Sequence, residues 1–249
     1  MSSDTPKLSF MDHLRELRSR MVVSIAAVFV GSVVCFVFYK QIFEILKYPA
    51  RNITFTTIDM MERASSIMIV AIVGGIILAM PVLLYEGIRF VAPALTRREK
   101  KWLYLVIPWI FAMFLGGVAF GFLVLAPWTM NFLNNFGSSV AEYFPRIGNY
   151  IGFLAKLVLG TGLLFEMPVL ATFLARIRVL KPQWLVKFRP VAVVLAFIIG
   201  AVLTPPDPVS QVILAVPLIL LYEMSIILAK RVYPKPAGDE PVEVEAEVE

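Results

Sequence analysis

Of the chain's 249 residues, 59% are hydrophobic and only 16% charged, and the mean hydropathy is +0.81. A soluble domain of this length needs far more polar surface to cover its core, so a water-soluble fold is excluded. The net charge of +5 hides an acidic end: from Lys235 onward there are six acidic residues and one basic, and the basic excess before them reads as a membrane-orientation signal, not as a nucleic-acid surface.

The first segment, Ser9 to Arg20, starts like a capped helix, with Ser9 and Asp12 at capping-box spacing. Phe10, Leu14, Leu17 and Met21 form one apolar stripe, and Glu16 and Arg20 pair at i, i+4 on the wetter side. The apolar run that follows ends in Phe38-Tyr39-Lys40 and carries no small-x-small cleavage site, so it reads as a retained span. Cys35, the lone cysteine, lies within it as a small packing residue and excludes an internal disulfide.

Further uncharged stretches occupy 64–85, 102–141, 190–206 and 208–222. Lipid offers backbone groups no hydrogen bonds, so such runs must be helical. The predicted spans cover about 20–40, 65–88, 103–128, 150–175, 190–205 and 209–229. Seventeen Lys and Arg residues fall at one side of this arrangement and five at the other, which places both termini on the cytoplasmic side. Four of the five, Lys40, Lys47, Arg51 and Arg63, crowd around the first outer connection, where Ile42–Leu46 can form a short amphipathic turn. The second outer connection, 129–149, is aromatic and nearly uncharged, and is expected to lie along the interface.

Proline punctuates the spans at Pro81, Pro108, Pro127, Pro168 and Pro217, which predicts kinked, curved helices around a concavity. Thr204-Pro205-Pro206-Asp207-Pro208 cannot continue a helix, so spans five and six are expected to form a short hairpin that locally thins the bilayer. Asp207 suits the N-terminus of the last helix. The fold expected is an all-α, six-helix membrane bundle with its last two helices short, one domain over 1–234, and a disordered acidic tail over 235–249.

Glu166, mid-way through span four, is the chemical outlier. A charge at the bilayer centre costs roughly 2.5–3.5 kcal/mol on insertion scales, so Glu166 must face a cavity or a partner, or be protonated. Lys156 is ten residues away, too far along the helix to pair with it. Glu99, a carboxylate among Arg97, Arg98, Lys100 and Lys101, serves no orienting purpose, and a salt bridge to its neighbours is the default. No nucleophile motif, phosphate loop, paired intramembrane aspartates or His/Cys ligand cluster is present, so an enzyme is not expected, and no cofactor or metal.

The strings His13-Leu14-Arg15-Glu16-Leu17-Arg18-Ser19-Arg20, Phe90-Val91-Ala92-Pro93-Ala94-Leu95, Phe165-Glu166-Met167-Pro168 and Leu203-Thr204-Pro205-Pro206-Asp207 occur in one order over the six spans. Together they resemble the TatC family, the large integral subunit of the twin-arginine protein translocase of the prokaryotic cytoplasmic membrane. The resemblance implies a receptor for twin-arginine signal peptides of folded precursors, with Glu16 and Glu99 binding the arginines and Arg18, Arg20 and Phe90 shaping the site. It implies self-association, docking of the single-span subunits TatA and TatB near Thr204 and Gln211, and transport driven by the proton-motive force. Pro49 and Pro81 match family positions of structural kind, Glu62 fills an acidic loop position, and Glu166 matches a buried glutamate. The competing expectation is a small proton-coupled transporter using Glu166, which predicts symmetry between the two halves; none is visible.

Overall fold

The computed structural model describes residues 10–51, 53–92, 97–136, 145–204 and 207–233. Its helices are α1 (Phe10–Val37), α2 (Tyr39–Leu46), α3 (Met60–Val91), α4 (Arg97–Phe120), α5 (Ala126–Asn135), α6 (Ile147–Phe165), α7 (Met167–Arg176), α8 (Pro182–Lys187), α9 (Arg189–Leu203) and α10 (Pro208–Val232). Among the described residues, five stretches are long and apolar enough to cross a membrane: Leu14–Val37, Met60–Phe90, Tyr104–Asn135, Ile147–Arg176 and Pro208–Val232. The sixth apolar helix, α9, is shorter. Large apolar side chains such as Phe29, Trp109 and Leu220 point outward, as lipid permits and water does not.

The helices approach closely where side chains are small. A Cβ on Gly75 would stand 2.2 Å from the Ser32 hydroxyl oxygen, and one on Gly31 would stand 2.8 Å from the Gly75 carbonyl oxygen. Cys35 is buried against Gly74 in the same crossing, so it does pack as a small residue. These contacts, with Arg20 beside Glu86, run α1 and α3 antiparallel. Between α4 and α6, Gly117 and Gly121 meet Thr161 in the same way. Small residues are how membrane helices gain dispersion contact where the hydrophobic effect offers nothing. The main core cluster combines Ile151, Leu154 and Leu157 of α6 with Val70 of α3 and with Leu214 and Leu218 of α10.

The breaks have chemical causes. Pro168 stands in the first turn of α7, where a missing N–H is harmless, and the chain breaks at Glu166 between α6 and α7. Pro127 opens α5, and the turn before it, Gly121–Leu125, widens to a π-helix, which relieves the clash between the proline ring and the preceding turn. Pro81, Pro108 and Pro217 remain inside α3, α4 and α10. Arg178, with φ 62°, turns the chain out of α7.

Three expectations need correction. The third span does not end near residue 128: the π turn absorbs Pro127, and helix continues to Asn135, so 129–135 is helix, not connection. Only one of the last two helices is short. α9 has 15 residues, about 22 Å at 1.5 Å per residue, but α10 has 25, because helix tolerates Pro217 and runs on past Glu223 to Val232. The amphipathic turn at Ile42–Leu46 is a full helix, α2, starting at Tyr39. Ser9 and the acidic tail lie outside the described residues.

Candidate functional site

The antiparallel pairing of α1 and α3 brings the start of one against the end of the other. There the Arg20 guanidinium lies between two carboxylates. Its Nη1 donates to Glu86 Oε2 at 3.1 Å and its Nε to Glu16 Oε1 at 3.2 Å, with Nη2 forming the ion pair to Glu16. Glu16 supplies its carboxylate from one turn earlier on α1, and Glu86 reaches across from α3. Arg20 and Glu86 are largely covered, at 13% and 12% side-chain exposure, whereas Glu16 is open to 26%. Ionised partners make such hydrogen bonds roughly twice as strong as neutral ones. Ile88 of α3 and Ala92 just beyond it pack with Ile110 of α4 and Phe173 of α7, anchoring the end of α3 that carries Glu86.

Arg18, two residues before Arg20, is exposed, and Phe90 in the last turn of α3 is half-buried. Glu99 falls in the first turn of α4, the helix that follows α3 at this same end of the bundle; its side chain lies outside the described residues. Sequence reasoning foresaw the Glu16–Arg20 pair and missed Glu86. Its only signal was a carboxylate at a helix end that neighbouring cations did not explain.

Other candidate residues lie elsewhere. Glu166, at the junction of α6 and α7, is 4% exposed, and its Oε1 has no hydrogen-bond partner among the described residues. Thr204 is buried and donates to the Gly200 carbonyl at 2.8 Å. Gln211 donates from Nε2 to the Phe197 carbonyl at 2.9 Å, tying α9 to α10. Asp207 caps α10 by accepting from the Ser210 N–H at 2.7 Å. Pro49 is buried in the short 3₁₀ turn Tyr48–Ala50, and Pro81 is exposed on α3. At the base of the hairpin, Arg189 pairs with Glu223 at 2.7 Å.

The end of the bundle opposite Glu16 has its own carboxylate. Glu62, in the first turn of α3 and 8% exposed, accepts from the Gly148 N–H at 3.0 Å, the Ile58 N–H at 3.2 Å and Arg146 Nη2 at 3.3 Å. The connection before α3 is pinned to the start of α6 by Thr56 N–H to Pro145 O and Ile147 N–H to Thr56 O, both 3.1 Å. Tyr150 donates its hydroxyl to the Leu46 carbonyl at 2.6 Å. Among the described residues no group of three His, Cys, Asp or Glu side chains is placed to hold a metal.

Residues 12–217 match the family model described as Sec-independent protein translocase protein (TatC). The chain is 37% identical over 231 residues to the Sec-independent protein translocase protein TatC of Helicobacter pylori strain J99, covering 92% of this chain and 91% of that one. It is 37% identical over 225 residues to the TatC of Aquifex aeolicus, covering 88% and 93%. It is also 34% identical over 237 residues to the TatCd of Bacillus subtilis, covering 95% and 98%. A crystal structure described as the twin arginine translocase receptor TatC superposes with a TM-score of 0.81 at 36% identity, covering 88% of this chain and 99% of that one.

Proposed function

Because the chain belongs to the TatC family of Sec-independent protein translocase proteins, we propose that it is the receptor and core subunit of a twin-arginine translocase, binding the signal peptides of folded precursors. The observation that carries this reading is the Glu16–Arg20–Glu86 cluster. Two carboxylates from different helices already hold a guanidinium there, so the site's chemistry suits the side chain that such a peptide presents. Glu99 falls in the first turn of α4 at the same end of the bundle. Arg20 acts as a resident guanidinium that orients Glu16 and Glu86, and the exposed part of Glu16 accepts the incoming arginines. Arg18 and Phe90 border the approach.

This reading places the Glu16 end, with both termini, at the cytoplasmic face of a prokaryotic cytoplasmic membrane, in keeping with the seventeen-to-five bias of Lys and Arg. TatA and TatB dock beside α9 and α10, where Gln211 ties α10 to α9 and Thr204 closes the end of α9, and the chain self-associates in the receptor complex. The proton-motive force drives transport without a cofactor.

The test is the affinity of the purified chain for a twin-arginine signal peptide, with a lysine-lysine peptide as control. Glu16→Ala with Glu99→Ala is expected to weaken arginine-peptide binding at least about a hundredfold, since two charge-assisted contacts are lost. Unchanged affinity in a folded double variant overturns the site.

One observation favours a second reading, a small proton-coupled transporter: the buried Glu166 oxygen without a partner. That reading requires substrate-dependent proton flux in liposomes holding this chain alone, abolished by Glu166→Gln.

A further inference from the structure

At the end of the bundle opposite Glu16, helix α2 lies over a cavity of about 310 Å³ walled by α3, α4, the π turn and α6. Every lining side chain is apolar, among them Ile42, Val70, Leu115, Leu154 and Val158. Water has no partner there, so the space favours hydrocarbon. It adjoins a second, wider hollow of about 750 Å³, with Ile45, Phe122 and Leu123 lining both. Phe122 and Leu123 belong to the π turn, so the backbone irregularity supplies the wall common to the two spaces.

The wider hollow is polar at its rim and carries Lys47 and Arg51 against a single acid, Glu44. The Arg51 guanidinium lies 4.0 Å over the Tyr48 ring, and Lys47 stands 3.7 Å from Glu44 with both side chains mostly exposed. Exposed pairs of this kind contribute little and exchange readily. These cations also run against the bias of the whole chain, since only five Lys and Arg fall at this end and four of them lie between residues 40 and 63. Arg146, the fifth, is committed to Glu62. Orientation cannot explain the four; a negative ligand can.

A single hydrocarbon chain satisfies the apolar lining, and the exposed cations of the adjoining hollow select a negative headgroup. We propose that this is a binding site for an anionic phospholipid of the adjacent leaflet, with one acyl chain in the apolar cavity and the phosphate between Lys47 and Arg51. The site stands apart from the receptor reading, whose residues occupy the other end of the bundle.

Native mass spectrometry of the full chain in detergent, with phosphatidylglycerol or phosphatidylcholine added, tests the site. The wild-type chain is expected to hold phosphatidylglycerol about tenfold more tightly, and Lys47→Gln with Arg51→Gln to bring it down to the phosphatidylcholine level. Both residues are exposed, so this variant keeps the core intact and carries the test even where a cavity-filling change fails to fold. Ala155→Phe, which fills the cavity, is expected to lower both lipids by similar factors. Binding of a twin-arginine peptide at the opposite end stays unchanged in both variants. Equal affinity for the two lipids, phosphatidylglycerol binding unaltered by the charge changes, or a dimer of this chain that displaces lipid from the groove overturns the proposal.

Discussion

The two ends of the α1–α3 pair each hold a glutamate against an arginine, and they differ in what else the carboxylate touches. Glu62 is closed in: two backbone N–H groups and Arg146 engage its oxygens, and the connections they come from are laced together by further backbone bonds. Glu16 and Glu86 share one guanidinium, and the Glu16 side chain is 26% exposed. A carboxylate bound to backbone donors fixes a fold, because those donors have no other partner. A carboxylate bound to a side chain can exchange that side chain for another. The same pair of residue types thus serves as a structural clamp at one end and as a proposed recognition site at the other.

Removing the clamp gives the largest expected effect. Glu62→Ala leaves the Gly148 and Ile58 N–H groups without their acceptor and frees the start of α6 from the start of α3. Thermal unfolding in detergent is expected to fall by about 5–10 °C, as the loss of two such bonds implies for a chain of this size. Twin-arginine peptide binding, measured well below the transition, stays within about twofold. A variant as stable as the wild type, or one that loses binding while remaining folded, breaks the contrast between the ends.

The next effect lies at the other end and in the other observable. Glu86→Gln keeps the shape and one acceptor oxygen but removes the charge facing Arg20. Arg20 is then drawn fully onto Glu16, and the carboxylate that the proposed receptor role assigns to the incoming peptide is occupied. Peptide affinity is expected to drop roughly tenfold, the value of a charge-assisted hydrogen bond, while the unfolding temperature moves by no more than about 3 °C. Equal affinity in the variant would show that Glu86 only anchors α3.

The contrast also marks how far the sequence could be read. The Glu16–Arg20 pair was visible because both lie on one helix, four residues apart, where geometry is local. Glu86 was not, because its partner depends on how far α3 slides along α1. That register is set by Gly31, Ser32 and Gly75 in contact, which no periodicity in either helix reveals. Glu62 was legible as an acidic loop position only through family resemblance; its two backbone donors come from loop geometry, which carries no side-chain signature. The apolar runs announced the spans, and Pro168 announced the break at Glu166. The π turn before Pro127 hid the true end of the third span, since a proline can stop a helix or be absorbed by one extra residue in the preceding turn. The length of α10 was hidden for a related reason: its helix tolerates Pro217 and continues past Lys230 to Val232.

The smallest predicted effect is the most discriminating about the clamp itself. Arg146 contacts Glu62 at 3.3 Å, yet its side chain is 43% exposed. An ion pair so open to solvent contributes little, because water screens it and the long side chain resists being held. If backbone donors are what hold Glu62, then Arg146→Ala lowers the unfolding temperature by no more than about 3 °C, well short of the Glu62→Ala loss. Raising the salt concentration then barely changes either unfolding temperature, whereas peptide binding at the Glu16 end weakens with salt, because charges reachable by solvent are screened beyond about 10 Å at 0.1 M. Should Arg146→Ala match Glu62→Ala instead, the clamp is an ion pair like the one at the opposite end, and the difference in backbone donors does not separate a structural clamp from the proposed recognition site.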